Sequence, residues 1–148
     1  MIDIVRANRT DIPILAPLLD QYRQFYQQDS NLVGAIEFLS ARILNSESVV
    51  FLAYYDKTPS GFCQLFTSYS SVSLQPILIL NDLFVKKTHR NKKIGEALLR
   101  KAQDFCAVIE YKGLALETAV DNPAQNLYER LGWKKDVGYF HYFWQRPV

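Results

Sequence analysis

Apolar and polar positions recur with clear periods along most of this 148-residue chain. Ile2 and Ile4 flank Asp3 and Val5 follows, a period of two that predicts a strand over about residues 2–7. Leu15, Leu18, Leu19, Tyr22, Phe25 and Tyr26 then share one helical face, with Thr10 or Asp11 as cap and Pro13 tolerated in the first turn. Ser30 is placed to cap a second helix carrying Leu32, Ile36, Leu39 and Ile43 on one side. The run from Ser48 to Tyr55 is continuous and rich in Val, Phe and Tyr, so it reads as a buried strand. Turn residues over 56–61 (D-K-T-P-S-G) lead to a paired strand over 62–69, and another strand spans about 76–86.

From Ile94 the period changes. Ile94, Leu98, Ala102, Phe105 and Ile109 mark an amphipathic helix over 94–110. A short strand follows at 114–119. Asn122 and Pro123 then read as N-cap and first residue of a helix that Gly132 ends. Tyr139, Phe140, Tyr142, Phe143 and Trp144 suit a closing strand over 138–145, with room for a short extra strand at 133–137. The predicted order is β-α-α-β-β-β-α-β-α-β. Three successive strands exclude a simple doubly wound sheet, and a mixed sheet flanked by helices is expected. The length fits one domain over 1–148, without repeat or linker.

Composition adds exclusions. With 49% hydrophobic and 22% charged residues, the chain is neither a disordered tail nor a fibrous repeat. No apolar run approaches a membrane span, and no secretory signal is visible at the start. Cys63 and Cys106 sit in apolar runs, and His89 and His141 lack paired ligand spacing, so neither a disulfide framework nor a metal site is expected. A reducing, cytoplasmic location fits best. The cysteines read as core packing rather than nucleophiles, since neither has a histidine nearby.

Charge changes the picture more. The net charge is +2, yet Lys86, Lys87, Arg90, Lys92 and Lys93 crowd residues 86–93 without an acid, which leaves the remainder at −3. This cationic loop lies between a strand and the N-terminus of the 94–110 helix, where free backbone N–H groups and the macrodipole favour anions. Gly95 removes a Cβ from the first turn. The loop is therefore either a phosphate cradle or a solvated basic turn, and position and charge alone favour neither. It carries neither a nucleoside-triphosphate loop nor the three-glycine dinucleotide fingerprint.

Two motifs go further. Residues 83–99, L-F-V-K-K-T-H-R-N-K-K-I-G-E-A-L-L, resemble the acetyl-CoA-binding motif of the GNAT acyltransferase superfamily, Gln/Arg-x-x-Gly-x-Gly/Ala. Arg90 stands first, Gly95 last, and Lys93 replaces the first glycine, where it should restrict the backbone. Residues 117–133, E-T-A-V-D-N-P-A-Q-N-L-Y-E-R-L-G-W, resemble the family's later motif through Ala124, Leu127, Tyr128, Glu129 and Gly132. The resemblance covers most of the chain and is sharpest over 80–133. It implies the GNAT fold, an α/β (α+β) architecture with a mixed, mostly antiparallel sheet. It also implies an N-acetyltransferase acting directly on an amine in a ternary complex, with acetyl-CoA as co-substrate and no metal.

Residue roles follow from the resemblance. Leu83, Phe84 and Val85 would grip the pantetheine and thioester. Arg90, Asn91, Lys92, Lys93, Ile94, Gly95 and Glu96 would cradle the pyrophosphate, and Asn122 and Tyr128 also belong to the cofactor set. Tyr128 matches the acid that protonates the departing thiolate, since a phenol is protonated at neutral pH. Asp82 is the favoured base, with Glu117 as the alternative; Asn81 should point to the other sheet face. Tyr22, Phe25, Tyr26, Asp29, Asp136, Tyr139 and Tyr142 are the candidates to meet a cationic acceptor. The L-N-D-L-F-V strand resembles that of polyamine acetyltransferases. A small polyamine or amino-acid amine is thus expected, with a protein amine as the other option. A homodimer is admitted; nucleic acid and membrane partners are not expected. Two rival readings are a GNAT-like acyl-CoA sensor without catalysis, and a nucleic-acid module that would need a wider basic surface.

Overall fold

The computed structural model describes residues 1–148, as two compact units, Met1–Glu117 and Thr118–Val148. In the first unit the elements run β1 (Ile2–Arg6), α1 (Ile12–Phe25), α2 (Leu32–Leu44), β2 (Ser48–Tyr55), β3 (Thr58–Ser70), β4 (Gln75–Val85), α3 (Ile94–Val108) and β5 (Leu114–Ala115). The strands form one five-stranded sheet in the order β1-β2-β3-β4-β5. Its first three pairings are antiparallel, and β4 pairs with β5 in parallel. No helix is long and apolar enough to cross a membrane.

The two sheet faces bury different helices. One carries Val50, Leu52, Phe62 and Phe84 against Ile12, Leu15, Leu18 and Leu19 of α1 and Ala35 and Leu39 of α2. On the other side α3 contributes Ile94, Leu98, Leu99, Ala102 and Cys106, all buried, and Phe105 packs edge-on against Phe51 at 5.5 Å. Cys63 and Cys106 are both buried and free, and burial pushes the Cys63 thiol up to about 12.

Two irregularities of the ladders shape β4. Gly61 sits so close to that strand that an added Cβ would lie 2.4 Å from the Phe84 carbonyl oxygen. Only glycine permits this approach. Further along, Leu80 is opposite Leu65 while Asp82 is opposite Gln64, which makes Asn81 an extra, bulged residue. Leu65 and Gln64 point to opposite faces, so Leu80 and Asp82 do as well. The bulge thereby turns Asp82 from the α3 side to the side of α1 and α2. It also corrects the expectation for Asn81. Its amide does not point away from Asp82 but reaches the carboxylate at 3.1 and 3.2 Å.

Cap chemistry differs from expectation in detail. Asn31, not Ser30, caps α2, accepting the Gly34 N–H at 2.9 Å. The Ser30 hydroxyl is turned to Asp20 instead. Strand β5 pairs only at Leu114 and Ala115 rather than over 114–119, because the next steps along β4 would reach the bulged Asn81.

The second unit contains α4 (Gln125–Arg130). Asn122 organises its entry: its Oδ1 accepts the Ala124 N–H at 3.0 Å and its Nδ2 donates to the Thr118 hydroxyl at 2.8 Å. Gly132 ends the helix with a left-handed φ of 94°. The closing strand expected over 138–145 and the extra strand at 133–137 are not formed; residues 134–148 carry no regular structure. Tyr139, Phe140, Tyr142, Phe143 and Trp144 are exposed. Strand propensity becomes a strand only where a neighbouring ladder takes the backbone groups, and this segment has none.

Candidate active site

The last residues of β4, the cationic loop and the first turn of α3 form one continuous structure. Asp82, Leu83, Phe84 and Val85 end the strand, a single turn over Lys87–His89 follows, and Ile94, Gly95 and Glu96 open the helix. Beyond Ile79, β4 has no strand partner on its β5 side, so its backbone there is not committed to the sheet.

The loop backbone takes the conformation a glycine would supply. Lys93 has φ 64° and ψ 18°, and Asn91 has φ 63°. Lysine at the glycine position therefore does not bar the left-handed turn; it adopts it, at a conformational cost of about 1 kcal/mol. As N-cap of α3, Lys93 offers no side-chain acceptor to the first-turn N–H groups. Gly95 has only the Val85 Cγ2 within 4 Å of the position its Cβ would occupy, at 3.9 Å. Packing within the chain does not require that space to be left open.

The loop cations are held by aromatic faces and carbonyls. The Arg90 Nε donates to the Val85 carbonyl at 3.3 Å, and its guanidinium lies 5.4 Å from the Phe25 ring centre. The Lys92 ammonium sits 5.1 Å from the Tyr55 ring, which His89 meets at 6.0 Å. Glu96 faces Arg100 at 3.7 Å, one turn on. Cations, a helix N-terminus and a space beside Gly95 suit a bound diphosphate and the chain attached to it.

Asp82 occupies a different setting. It is 9% exposed, and its Oδ2 accepts from the Gln64 Nε2 at 2.8 Å. The Tyr22 hydroxyl faces it from α1; burial and the Asp82 charge together push the Tyr22 phenol well above its ordinary range. Tyr22 meets the rings of Tyr26, Phe62 and Phe84 at 5.0, 5.8 and 5.9 Å, and Tyr26 meets Phe25 at 5.3 Å. No cation of the chain forms an ion pair with Asp82. This is a sheltered carboxylate beside aromatic rings, held by neutral donors.

The sequence-predicted residues thus divide. Residues 82–85 and 90–96 come together in the first unit, with Tyr22, Phe25 and Tyr26 on the Asp82 side. Glu117, the alternative base, is exposed at the end of that unit. Asn122 and Tyr128 lie in the second unit, where Tyr128 is half-buried with its ring 6.0 Å from Trp133. Gln64 was not expected from sequence. Its one signal is a polar residue inside the apolar run F-C-Q-L-F.

Comparison with known proteins identifies the family. Residues 46–135 match the family described as Acetyltransferase (GNAT) domain. The chain is 44% identical over 147 residues to the Bacillus subtilis (strain 168) "Uncharacterized N-acetyltransferase YhfO", covering 99% of both chains. It is 34% identical to a "Probable acetyltransferase" of Haemophilus influenzae, covering 86% of this chain and 85% of the relative. Among solved structures, the crystal structure of a probable acetyltransferase superposes with a TM-score of 0.91 at 34% identity, covering 99% of both chains.

Proposed function

Because this chain belongs to the GNAT family and is an N-acetyltransferase, we propose that it moves the acetyl group of acetyl-CoA directly to a small primary amine, polyamine-like or amino-acid-like, within a ternary complex. The observation that carries the choice of acceptor is Asp82. A buried carboxylate is normally paired with a cation, and this one has only neutral donors and aromatic rings around it. An ammonium group completes the site as both counter-ion and reactant.

Acetyl-CoA supplies the activated acyl carbon when bound. Residues 90–96 hold its diphosphate by backbone N–H groups and cationic side chains, and Gly95 leaves room beside Val85. The β5-side edge of β4 at Leu83–Val85 offers backbone N–H groups to the thioester oxygen. Asp82 takes a proton from the ammonium, which frees the nitrogen lone pair for attack. We assign Tyr128 as the acid that gives its hydroxyl proton to the departing thiolate. Residues 1–148 act as one catalytic domain in this reading, and two reduced cysteines fit a cytoplasmic location.

A panel of 1,4-diaminobutane, L-lysine and an N-terminal alanine peptide, scored by thiol release from acetyl-CoA, tests the proposal. Turnover is expected with the diamine or lysine. Preference for the peptide would move the acceptor to protein amines, and no turnover with any amine would overturn the proposal.

A further inference from the structure

We propose that Gln64 is the positioning residue for Asp82, fixing one carboxylate oxygen so that the other is presented to the amine. This inference rests on the reading of Asp82 as the base. Gln64 is fully buried in the middle of β3, between Cys63 and Leu65. Its Nε2 donates to the Asp82 Oδ2 at 2.8 Å, the shorter of the amide contacts that carboxylate receives. The Oδ1 accepts only from Asn81 among the side-chain amides, at 3.2 Å, so it keeps lone pairs for a further donor.

Two features say that Gln64 is kept for this contact rather than for packing. Its Oε1 is buried and has no hydrogen-bond partner. An orphaned acceptor is destabilising, and a methionine of similar volume would fill the site without one. The bulge at Asn81 is the second feature. It is the irregularity that puts Asp82 opposite Gln64 rather than on the other face with Leu65.

The chemistry of the amide suits the task. Lysine or arginine at this position would pair with Asp82, weaken it as a base and repel the incoming ammonium. A neutral amide orients the carboxylate without competing for its charge, and it does not titrate. The titratable group facing Asp82 is Tyr22 from α1, itself beside Tyr26, while Cys63 of β3 lies on the other sheet face and feels Asp82 only through its charge. Burial and the Asp82 charge raise both Tyr22 and Cys63, so both stay protonated across a neutral assay range.

The test compares Gln64→Met and Gln64→Glu with the unsubstituted protein, using the fastest amine of the panel above and calorimetry with acetyl-CoA. Gln64→Met is expected to lower kcat about 10–100-fold while acetyl-CoA affinity stays within about twofold, as for a base left loosely oriented. The KM for acetyl-CoA is expected to stay near parental, so the loss falls on kcat alone. Gln64→Glu keeps the shape but can donate only when protonated, so its deficit grows as pH rises. Parental kcat in Gln64→Met would reduce Gln64 to packing and overturn the inference. Should Gln64→Met melt below the assay temperature, the isosteric glutamate variant decides: a kcat deficit that grows with pH supports the inference, and parental kcat across the range overturns it. Full activity in Asp82→Asn is a separate result that removes the underlying reading of the base.

Discussion

Asp20 and Asp82 are the buried acids of the first unit, 7% and 9% exposed, and their surroundings differ in kind. Asp20 lies at the junction of α1 and α2. Its Oδ2 accepts from the Ser30 hydroxyl at 2.6 Å, its Oδ1 from the Asn31 N–H at 2.7 Å, and Arg23 adds a cation at 4.0 Å. The Ser30 and Asn31 bonds hold its carboxyl below the ordinary range, against the opposing effect of burial. Every partner comes from the chain, and the group's work is to hold the start of α2 against α1. Asp82 has donors of its own but no cation, and its position depends on a bulge that interrupts a ladder. A structural carboxylate is complete within the protein. The role proposed for Asp82 leaves its charge for the substrate to complete.

The largest expected effect breaks this comparison from the Asp82 side. Asp82→Asn removes the proposed proton acceptor and is expected to lower kcat/KM by about 10²–10⁴. Acetyl-CoA affinity by calorimetry should stay near parental, since residues 90–96, proposed to hold the diphosphate, are untouched by the change. Stability should change little, because removing an uncompensated buried charge offsets the altered hydrogen bonds. An unchanged rate with a large drop in Tm would make Asp82 a second structural acid and erase the distinction.

Asp20→Ala is the converse. It strands the Ser30 hydroxyl and the Asn31 N–H in a partly buried setting, and should lower unfolding stability by about 1–3 kcal/mol in a chemical melt. The folded variant should keep kcat within about threefold, a factor worth less than 1 kcal/mol of barrier. A large loss of kcat at full occupancy would show that the α1–α2 junction takes part in catalysis.

Sequence made one of these sites legible and the other not. L-N-D-L-F-V at the end of a strong strand draws attention to Asp82, and five cations before an amphipathic helix do the same for residues 86–96. Asp20 reads only as a polar position after two leucines, since its partners are set by the path of the loop over 26–31. Gln64 was hidden for a similar reason: a single polar residue in an apolar strand is a break in pattern until its partner across the ladder is known. The bulge at Asn81 carries no glycine or proline to announce it. Lys93 in a left-handed conformation is equally invisible, because the local preference of lysine points elsewhere and the helix that follows overrides it. The aromatic tail shows the reverse error, in which strand propensity alone promised a strand without a ladder.

The smallest effect sharpens the comparison by pH. The Asp20 carboxyl is lowered in the folded chain from an ordinary value of 3.8. The unfolded state therefore binds its proton first as the solution is acidified, and the group's contribution to stability is fully present above that ordinary value. It is lost progressively as pH falls from there through the lowered folded value. Ser30→Ala removes the hydrogen bond that lowers Asp20 most and leaves Asn31 as the principal donor. At neutral pH it should cost about 1 kcal/mol, typical of a hydrogen bond to a charged group in a partly exposed site. In acid that difference should shrink, because protonation of Asp20 weakens the same contact in the parent chain. Thermal melts of the pair from neutral pH down to about pH 2.5 should therefore converge on the acid side. Parallel curves would mean that Ser30 acts on the loop through packing and that its bond to Asp20 contributes nothing specific to the charge.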